Sequence, residues 1–286
     1  MSTSQHNERV IKYYEDTQND YKIMWHHKLE GPPALHFGYY DEKARVHKDA
    51  LYRVNEKLAE LANIQPEDSV LDAGCGLGQA AIWLAQSVGA KATGISIVQK
   101  QIDDANEYVA QNNIANVEFI CSDYLHTPFE NNSFDVVWCI ESVCHALDKS
   151  LFYKEAFRIL KPGGRLVMAD SFRGGRPMSN TNEKLLKDAF SGWEIQDIDT
   201  PEEHEQHALK AGFGKISIKD VSDKVWVSYK NIRVLTNYFL WLGYIIYFLR
   251  IINRVRLRNV ISSRKQSVAL QKKAFRYMHL LAVKPI

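Results

Sequence analysis

Residues 69–78 read Ser-Val-Leu-Asp-Ala-Gly-Cys-Gly-Leu-Gly, and few folds accommodate that run. Val70 and Leu71 read as the end of a buried strand, and Asp72 stands where the strand stops. Gly74, Gly76 and Gly78 make a turn without Cβ atoms to hold a ligand off the backbone. The Gln-Ala-Ala-Ile-Trp-Leu-Ala stretch from Gln79 opens a helix whose N-terminal amides and positive dipole end face the same crevice. Strand, glycine turn and helix start, in that order, make a nucleotide-type site; the alternative is a tight structural turn with no ligand.

The residues choose among nucleotide ligands. The dinucleotide fingerprint needs a third glycine where this chain has Gln79, and the phosphate-gripping Gly-Lys-Ser/Thr is absent. An acid beside the glycines suits a ligand that carries an ammonium group. The amino-acid end of S-adenosylmethionine (SAM) is such a ligand.

Strand and helix patterns then alternate. Strand 69–72 leads to helix 79–88, strand 91–97 to helix 99–112, and strand 117–121 through a loop to strand 134–140. Helix 150–160, a Lys-Pro-Gly-Gly turn and strand 165–170 follow. This order predicts an α/β fold, a doubly wound (Rossmann-like), mostly parallel sheet. Helices near 181–191 and 201–211, strand 215–221 and a last strand at 278–284 complete seven strands. With 286 residues, 45% of them hydrophobic, the chain suits one large domain with appendages. We divide it into an N-terminal helical cap and active-site loop (1–64), a SAM-binding core (65–175), and lid helices with the C-terminal strands (176–286).

The flanks carry the less regular signals. A helix is predicted near 8–15, then an irregular segment, then Pro32-Pro33, which forbids helix. The next loop holds His36, Phe37, Tyr39 and Tyr40, aromatic faces able to close over a sulfonium or to plug the core. Val46, Ala50, Val54, Leu58 and Leu61 repeat near helical spacing. Residues 225–258 mix Trp226, Tyr238, Trp241 and Phe248 with Leu and Ile, then Arg250 and Arg254. That run is too short and tyrosine-rich for a span of roughly 20 apolar residues. It reads as an amphipathic helical lid before the last strand, touching a membrane surface through its arginines, or as a dimer or core helix.

Ligands in doubly wound sheets sit beyond the carboxyl ends of the strands. Those places hold Asp72, Ser96, Asp123, Glu141 and Asp170. About 20 residues past the glycines, where a dinucleotide site keeps an acid for the ribose, residues 94–101 read Gly-Ile-Ser-Ile-Val-Gln-Lys-Gln. Ser96 and Gln101 offer neutral hydrogen bonds there, with Asp103 as the fallback. Asp123 can accept from an adenine amine while the Tyr124 amide donates to a ring nitrogen; otherwise Asp123 caps a turn. Glu141 ends a strongly apolar strand and should lie near a transferring methyl, with His145 four residues on as base or orienter. Glu141 serves equally as a cofactor ligand, and His145 as a backbone partner.

At these residues the chain resembles the class I SAM-dependent methyltransferases. Within them it is similar to the branch of sterol side-chain, γ-tocopherol and terpene C-methyltransferases. The matching segments are 70–78, 94–101, 121–123, the Pro-Phe-Glu-Asn-Asn-Ser-Phe-Asp run at 128–135, 141–145 and 161–164, within residues 35–172. The resemblance implies that Ser96 and Gln101 serve the ribose. The sterol enzymes have a similar Glu-x-x-Cys-His segment, which supports Glu141 and His145. The tocopherol enzymes have a similar His-x-Gly-aromatic-aromatic-Asp loop and a comparable lid. The sterol enzymes' C-terminal region has no counterpart here, which tells against a sterol acceptor.

The expectation is transfer of a methyl group from SAM to a hydrophobic small molecule, most simply C-methylation of an isoprenoid or terpenoid through a carbocation. His36, Tyr39, Tyr40, Trp226 and Tyr238 are the expected substrate walls and Glu141 the anion. O- or N-methylation of a phenol or amine with His145 as base, and a SAM-binding cyclase or scaffold, stand as alternatives. No protein metal site is expected; Arg173, Arg176 or the later arginines would bind a diphosphate acceptor, with Mg assisting only then. A net charge of +2 without a long basic run in the first two-thirds gives no footprint for nucleic acid. Cys75, Cys121, Cys139 and Cys144 form no Cys-x-x-Cys pair, and the polar N-terminus lacks a signal peptide's apolar core, so a cytoplasmic protein is expected.

Overall fold

In the computed structural model, which describes residues 3–25 and 34–286, the alternating pattern becomes one seven-stranded sheet. Its strands are β1 (Ser69–Ala73), β2 (Lys91–Ser96), β3 (Val117–Cys121), β4 (Phe134–Ile140), β5 (Leu160–Arg173), β6 (Ile216–Asp220) and β7 (Phe275–Val283), in the spatial order β3-β2-β1-β4-β5-β7-β6. All neighbours run parallel except β7, which is antiparallel to both β5 and β6. The chain winds outward from β1 through β2 to β3, then returns to place β4 on the other side of β1. The gap where that direction reverses is where such sheets bind ligands. Buried strands here are near-continuous apolar runs, as in Phe-Asp-Val-Val-Trp-Cys-Ile of β4, because helices cover both faces.

The covering helices are α2 (His47–Ala62), α3 (Gln79–Trp83), α4 (Gln99–Gln111), α5 (Lys149–Ile159), α6 (Asn180–Phe190) and α7 (Pro201–Ala211). α3 relaxes into a π turn at Leu84–Val88. α7 starts as its residues dictate: Thr200 accepts from the Glu203 amide, Glu203 bonds back to the Thr200 amide, and Pro201 fills the first turn. The Lys-Pro-Gly-Gly turn is drawn into β5 as an irregularity, for the register with β4 jumps from Phe134–Leu160 to Val136–Arg165.

Three elements depart from the sequence expectations. The N-terminal helix, α1, runs Thr3–Trp25, far longer than 8–15. His6, Val10, Tyr13 and Thr17 are its buried row, at spacings of four, three and four that fit one helical face. Pro32 and Pro33 lie outside the described residues. Second, α8 spans Ser222–Phe248. Third, α9 (Arg254–Gln271) was not expected at all. Its buried face is built largely from Ser262, Ser263, Gln266, Ser267 and Ala269, so no apolar stripe announces it. Those serines find carbonyl partners: Ser262 Oγ donates across to the Asp188 carbonyl of α6 at 2.9 Å and Ser263 Oγ to the Asn259 carbonyl of its own helix at 2.8 Å.

Candidate active site

A cavity with an empty volume of about 980 Å³ opens at the carboxyl ends of β1, β2 and β4, beneath α1. Asp72, Gly74 and Gly76 line it from the β1 turn, Ser96 and Gln101 from the β2 end, Asp123 and Tyr124 from the β3 end, and Glu141 and His145 from beyond β4. Every residue expected to hold cofactor therefore faces one space. The register explains the convergence, since Asp72 pairs with Gly94 on β2 and with Trp138 on β4, which aligns the three strand ends.

Asp72 is buried, and among the described residues its Oδ2 has no hydrogen-bond partner. Burial pushes its carboxyl up to about 7, against the pull of the Ala81 amide. An ammonium group in the cavity would offset that cost. Gln79 projects into the same space, its Oε1 held by Asn55 Nδ2 at 3.1 Å and its Nε2 unpartnered. Ser96 Oγ donates to Gln101 Oε1 at 2.8 Å and accepts from the Val98 amide at 3.1 Å. Ser96 thus orients Gln101, whose unpartnered Nε2 can donate to a ribose hydroxyl. Asp123 does two things: Oδ1 caps the Leu125 amide at 2.8 Å, and Oδ2 accepts from Asn7 of α1 at 2.9 Å.

The glycines have a further reason. Gly74 has φ +91° and Gly78 φ +84°, where side chains are strained. A Cβ on Gly74 would meet Ser142 Cβ at 2.4 Å, and one on Gly78 would meet the Phe119 ring at 2.4 Å. The turn is pressed against its neighbours as well as open to ligand.

Glu141 sits between two cavities. A second, narrow chamber shares Tyr14, Leu35, Glu141 and His145 with the first. Its other walls include Phe37, Phe190, Trp193, Tyr229, Asp170 and Gln266. Glu141 holds a left-handed backbone, φ +50°, with its amide donating to the Ala169 carbonyl at 2.8 Å. Its Oε1 accepts from the Phe37 amide at 2.8 Å and from Tyr277 Oη at 2.7 Å. Burial, with Asp170 adding repulsion, still pushes its carboxyl up to about 8. Asp170, held by the Cys144 and Ser171 amides at 3.0 and 2.7 Å, rises to about 6.

His145 is fixed from α1. Its Nε2 lies 3.0 Å from Tyr14 Oη, and His6 Nε2 reaches its carbonyl at 2.7 Å. Its Nδ1 has no partner, and desolvation drops its basicity to about 3, so the ring is neutral. Gln266 is 1% exposed, and neither end of its amide has a partner.

Sequence similarity agrees with this geometry. The methyltransferase-domain family model matches residues 71–168. A 27-O-demethylrifamycin SV methyltransferase from Amycolatopsis mediterranei (strain S699) is 32% identical over 190 residues, which cover 66% of this chain and 69% of that protein. The chain belongs to the class I SAM-dependent methyltransferases. The chloroplastic tocopherol O-methyltransferase of Arabidopsis thaliana is 32% identical over 203 residues, 66% of this chain and 55% of the relative. Sterol 24-C-methyltransferase erg6 of Schizosaccharomyces pombe is 32% identical over 174 residues, 59% and 44% of the two chains. A solved [4+2]-cyclase, SpnF, shares the fold at TM-score 0.76 and 23% identity, over 97% of this chain and 95% of that one. A geranyl diphosphate methyltransferase does so at TM-score 0.76 and 18% identity, over 98% and 99%.

The methyltransferase corrects several sequence expectations about the acceptor side. Of the five expected wall residues, His36 lines the cofactor cavity. Tyr39, Tyr40, Trp226 and Tyr238 line neither cavity. The amides of Tyr39 and Tyr40 bond to the carbonyls of Ala50 and Lys224, which turns the loop so that Phe37 points inward instead. The Phe37 ring stacks on Tyr229 at 3.8 Å and on Trp193 at 5.9 Å. Tyr238 is 72% exposed, and among the described residues none from the second half of α8 lines the chamber. Arg173 is buried in ion pairs with Glu183 and with Asp197 at 2.8 Å; Arg176 pairs with Asp197 at 2.8 Å and Glu203 at 2.9 Å. Both are committed internally, and the diphosphate reading loses them. Among the described residues no group of three or more His, Cys, Asp or Glu could hold a metal ion. Nothing local in the sequence assigns Tyr14, Trp193, Tyr229 or Gln266, because only the folded chain brings them together; the helical spacing of His6, Val10 and Tyr13 is the available signal for α1.

The raised carboxyls set a pH dependence. A carboxyl whose folded pKa lies above its unfolded value makes the folded state bind protons more tightly, so stability falls as pH rises through that window. Asp72 and Glu141 do this up to about 7 and about 8. Burial lowers the basicity of His145, His204 and His279, an opposing effect that fades as pH rises past the ordinary histidine value of about 6.5. The ligand-free enzyme should therefore melt at a lower temperature at about pH 8 than at about pH 6.5, and S-adenosylhomocysteine should reduce the difference. Scanning calorimetry with and without that ligand checks it; a melting temperature that rises with pH would contradict the burial of these carboxyls.

Proposed function

We propose that this methyltransferase methylates a carbon atom of an uncharged, hydrophobic, isoprenoid-like acceptor seated in the second chamber. The supporting observation is the position of Glu141, a buried carboxyl on the boundary between a cofactor cavity and an aromatic-walled chamber. SAM supplies an electrophilic methyl on a sulfonium. In this reading Asp72 holds its ammonium, Gln101 its ribose and Asp123 its adenine amine, with Gly74, Gly76 and Tyr124 shaping the backbone side.

An alkene acceptor uses its π electrons to form the new carbon–carbon bond as the sulfur–methyl bond breaks and its electron pair stays on the neutral thioether, which leaves a cation on the neighbouring carbon. The faces of Phe37, Trp193 and Tyr229 favour that cation and keep water away. Positive charge nearby also favours ionised Glu141. The Glu141 carboxylate then takes a proton from the adjacent carbon, and the C–H electrons restore a double bond. The amide of Gln266 gives the acceptor one neutral polar contact, such as to a hydroxyl or carbonyl.

O- or N-methylation is the second reading, favoured by the 3.0 Å contact of Tyr14 Oη with His145 Nε2. A ring with basicity lowered to about 3 is a poor proton acceptor, which places this reading behind the first. Labelled SAM offered with uncharged isoprenoids, prenyl diphosphates, phenols and amines tests the choice by product mass. The uncharged isoprenoids should be labelled and the diphosphates not; labelling of phenols alone would reverse the order. His145→Ala should then cost less than about tenfold in kcat, against the hundredfold or more expected of a general base.

A further inference from the structure

The outer half of α8 carries an apolar face that nothing among the described residues covers. Trp241 is 64% exposed, Phe248 85%, Leu249 59% and Ile251, just past the helix, 64%. Scattered exposed apolar residues are ordinary, but a contiguous aromatic patch marks a contact surface. Tyr238, Trp241, Ile245, Phe248 and Leu249 follow helical spacings of three, four, three and one, so they share one side. At 100° per residue that side lies about 180° around the axis from Val225, Tyr229, Ile232 and Thr236, the row buried in the protein. The patch faces directly away from the core.

Its charge identifies the partner. No Asp or Glu follows Asp223, while thirteen Lys and Arg do. Arg250 and Arg254 stand exposed at the tip beside Phe248, Leu249 and Ile251, with no ion pair among the described residues. Glu15 and Asp16 of α1 line the groove beside it, and the exposed positive charge at the tip itself is that of Arg250 and Arg254. An anionic lipid surface attracts it. Trp and Tyr favour the membrane interface, and arginine stems can lie along acyl chains while their heads reach phosphates. No described helix is long and apolar enough to cross a membrane, so the contact is superficial.

We propose that the tip joining α8 to α9 docks this methyltransferase on an anionic phospholipid bilayer. Phe248, Leu249 and Ile251 enter the boundary between headgroups and acyl chains, and Arg250 and Arg254 pair with lipid phosphates. The same helices reach the acceptor chamber. α9 begins at the tip with Arg254 and reaches the chamber wall at Gln266, twelve residues or about 18 Å along. Glu15 and Asp16 of α1 line the groove at the tip, next to the chamber residue Tyr14. The docked tip therefore lies at one end of two helices that wall the acceptor site. The proposal holds whichever lipophilic acceptor that site takes.

Flotation of the full chain with vesicles tests it. One set is phosphatidylcholine alone, the other an equal mixture with phosphatidylglycerol. Binding should be strong to the mixture, weak to phosphatidylcholine, and reduced by salt. Arg250→Ala with Arg254→Ala should weaken it about 25-fold, near fivefold per cation. Trp241→Ser with Phe248→Ser should weaken it at least about tenfold. Both double variants are on the surface, and unchanged SAM affinity and melting temperature certify their fold. No binding of the wild type to either vesicle, equal binding to both, or undiminished binding by the variants overturns the proposal. If the wild type ignores vesicles while Trp241→Ser with Phe248→Ser converts a dimer to a monomer by light scattering, a second copy is the occupant.

Discussion

Asp72→Asn should weaken SAM binding about hundredfold, while the ligand-free protein at about pH 8 becomes no less stable. The two halves share one cause. Asp72 is buried with one oxygen unpartnered, so its ionised form is held at a cost that raises its pKa to about 7. A cationic ligand offsets that cost, and Asn cannot reproduce the pairing. Asn also carries no charge, so the free protein is relieved of the desolvation that Asp72 imposes. Titration calorimetry at about pH 8 gives the affinity, and thermal unfolding in the same buffer gives the stability. Affinity within about twofold of wild type would remove Asp72 from the cofactor site; a large drop in melting temperature would mean its role is structural.

Glu141→Gln should lower kcat about a thousandfold and leave SAM affinity within about threefold. Gln keeps the carbonyl-type acceptor that the Phe37 amide and Tyr277 hydroxyl now use, at 2.8 and 2.7 Å, so the local architecture survives. What it loses is the anion and the proton acceptor. Under the alkene reading both are needed after methyl transfer, when the acceptor is a cation in an aromatic chamber. Under the O- or N-methylation reading neither is needed, and kcat should fall less than about tenfold. Single-turnover product formation with labelled SAM separates the cases, provided the affinity is measured on the same preparation.

The residues expected to hold cofactor gather at one place in the fold. Asp72, Gly74, Gly76, Ser96, Gln101, Asp123, Tyr124 and Glu141 all line one cavity. They follow strand ends, and a parallel sheet brings its strand ends together whatever its loops do. Two details emerged only in the structure. Ser96 orients Gln101 rather than standing beside it as an equal, and Asp123 is gripped by Asn7 from a helix more than a hundred residues away in sequence. The acceptor half was far less legible. Aromatic residues were visible in the sequence, but which ring faces a chamber depends on loop turns. The backbone bonds of Tyr39 and Tyr40 rotate those rings away and leave Phe37 inside.

Local chemistry alone determined the glycine turn, the acid beside it, the capped start of α7 and the alternation of strand and helix, because each depends on backbone freedom, capping or apolar runs within a few residues. Tertiary structure decided the chamber. Tyr14, Glu141, Trp193, Tyr229 and Gln266 come from five separate stretches, and α9 reaches its place on a buried face largely of serine, glutamine and alanine that has no apolar period. Contacts between distant segments are set by packing and leave no short-range pattern. For the same reason the uncovered side of α8 shows in the fold, where a core row and an exposed row lie on opposite sides of one helix, and is hidden in a sequence that is apolar all the way around.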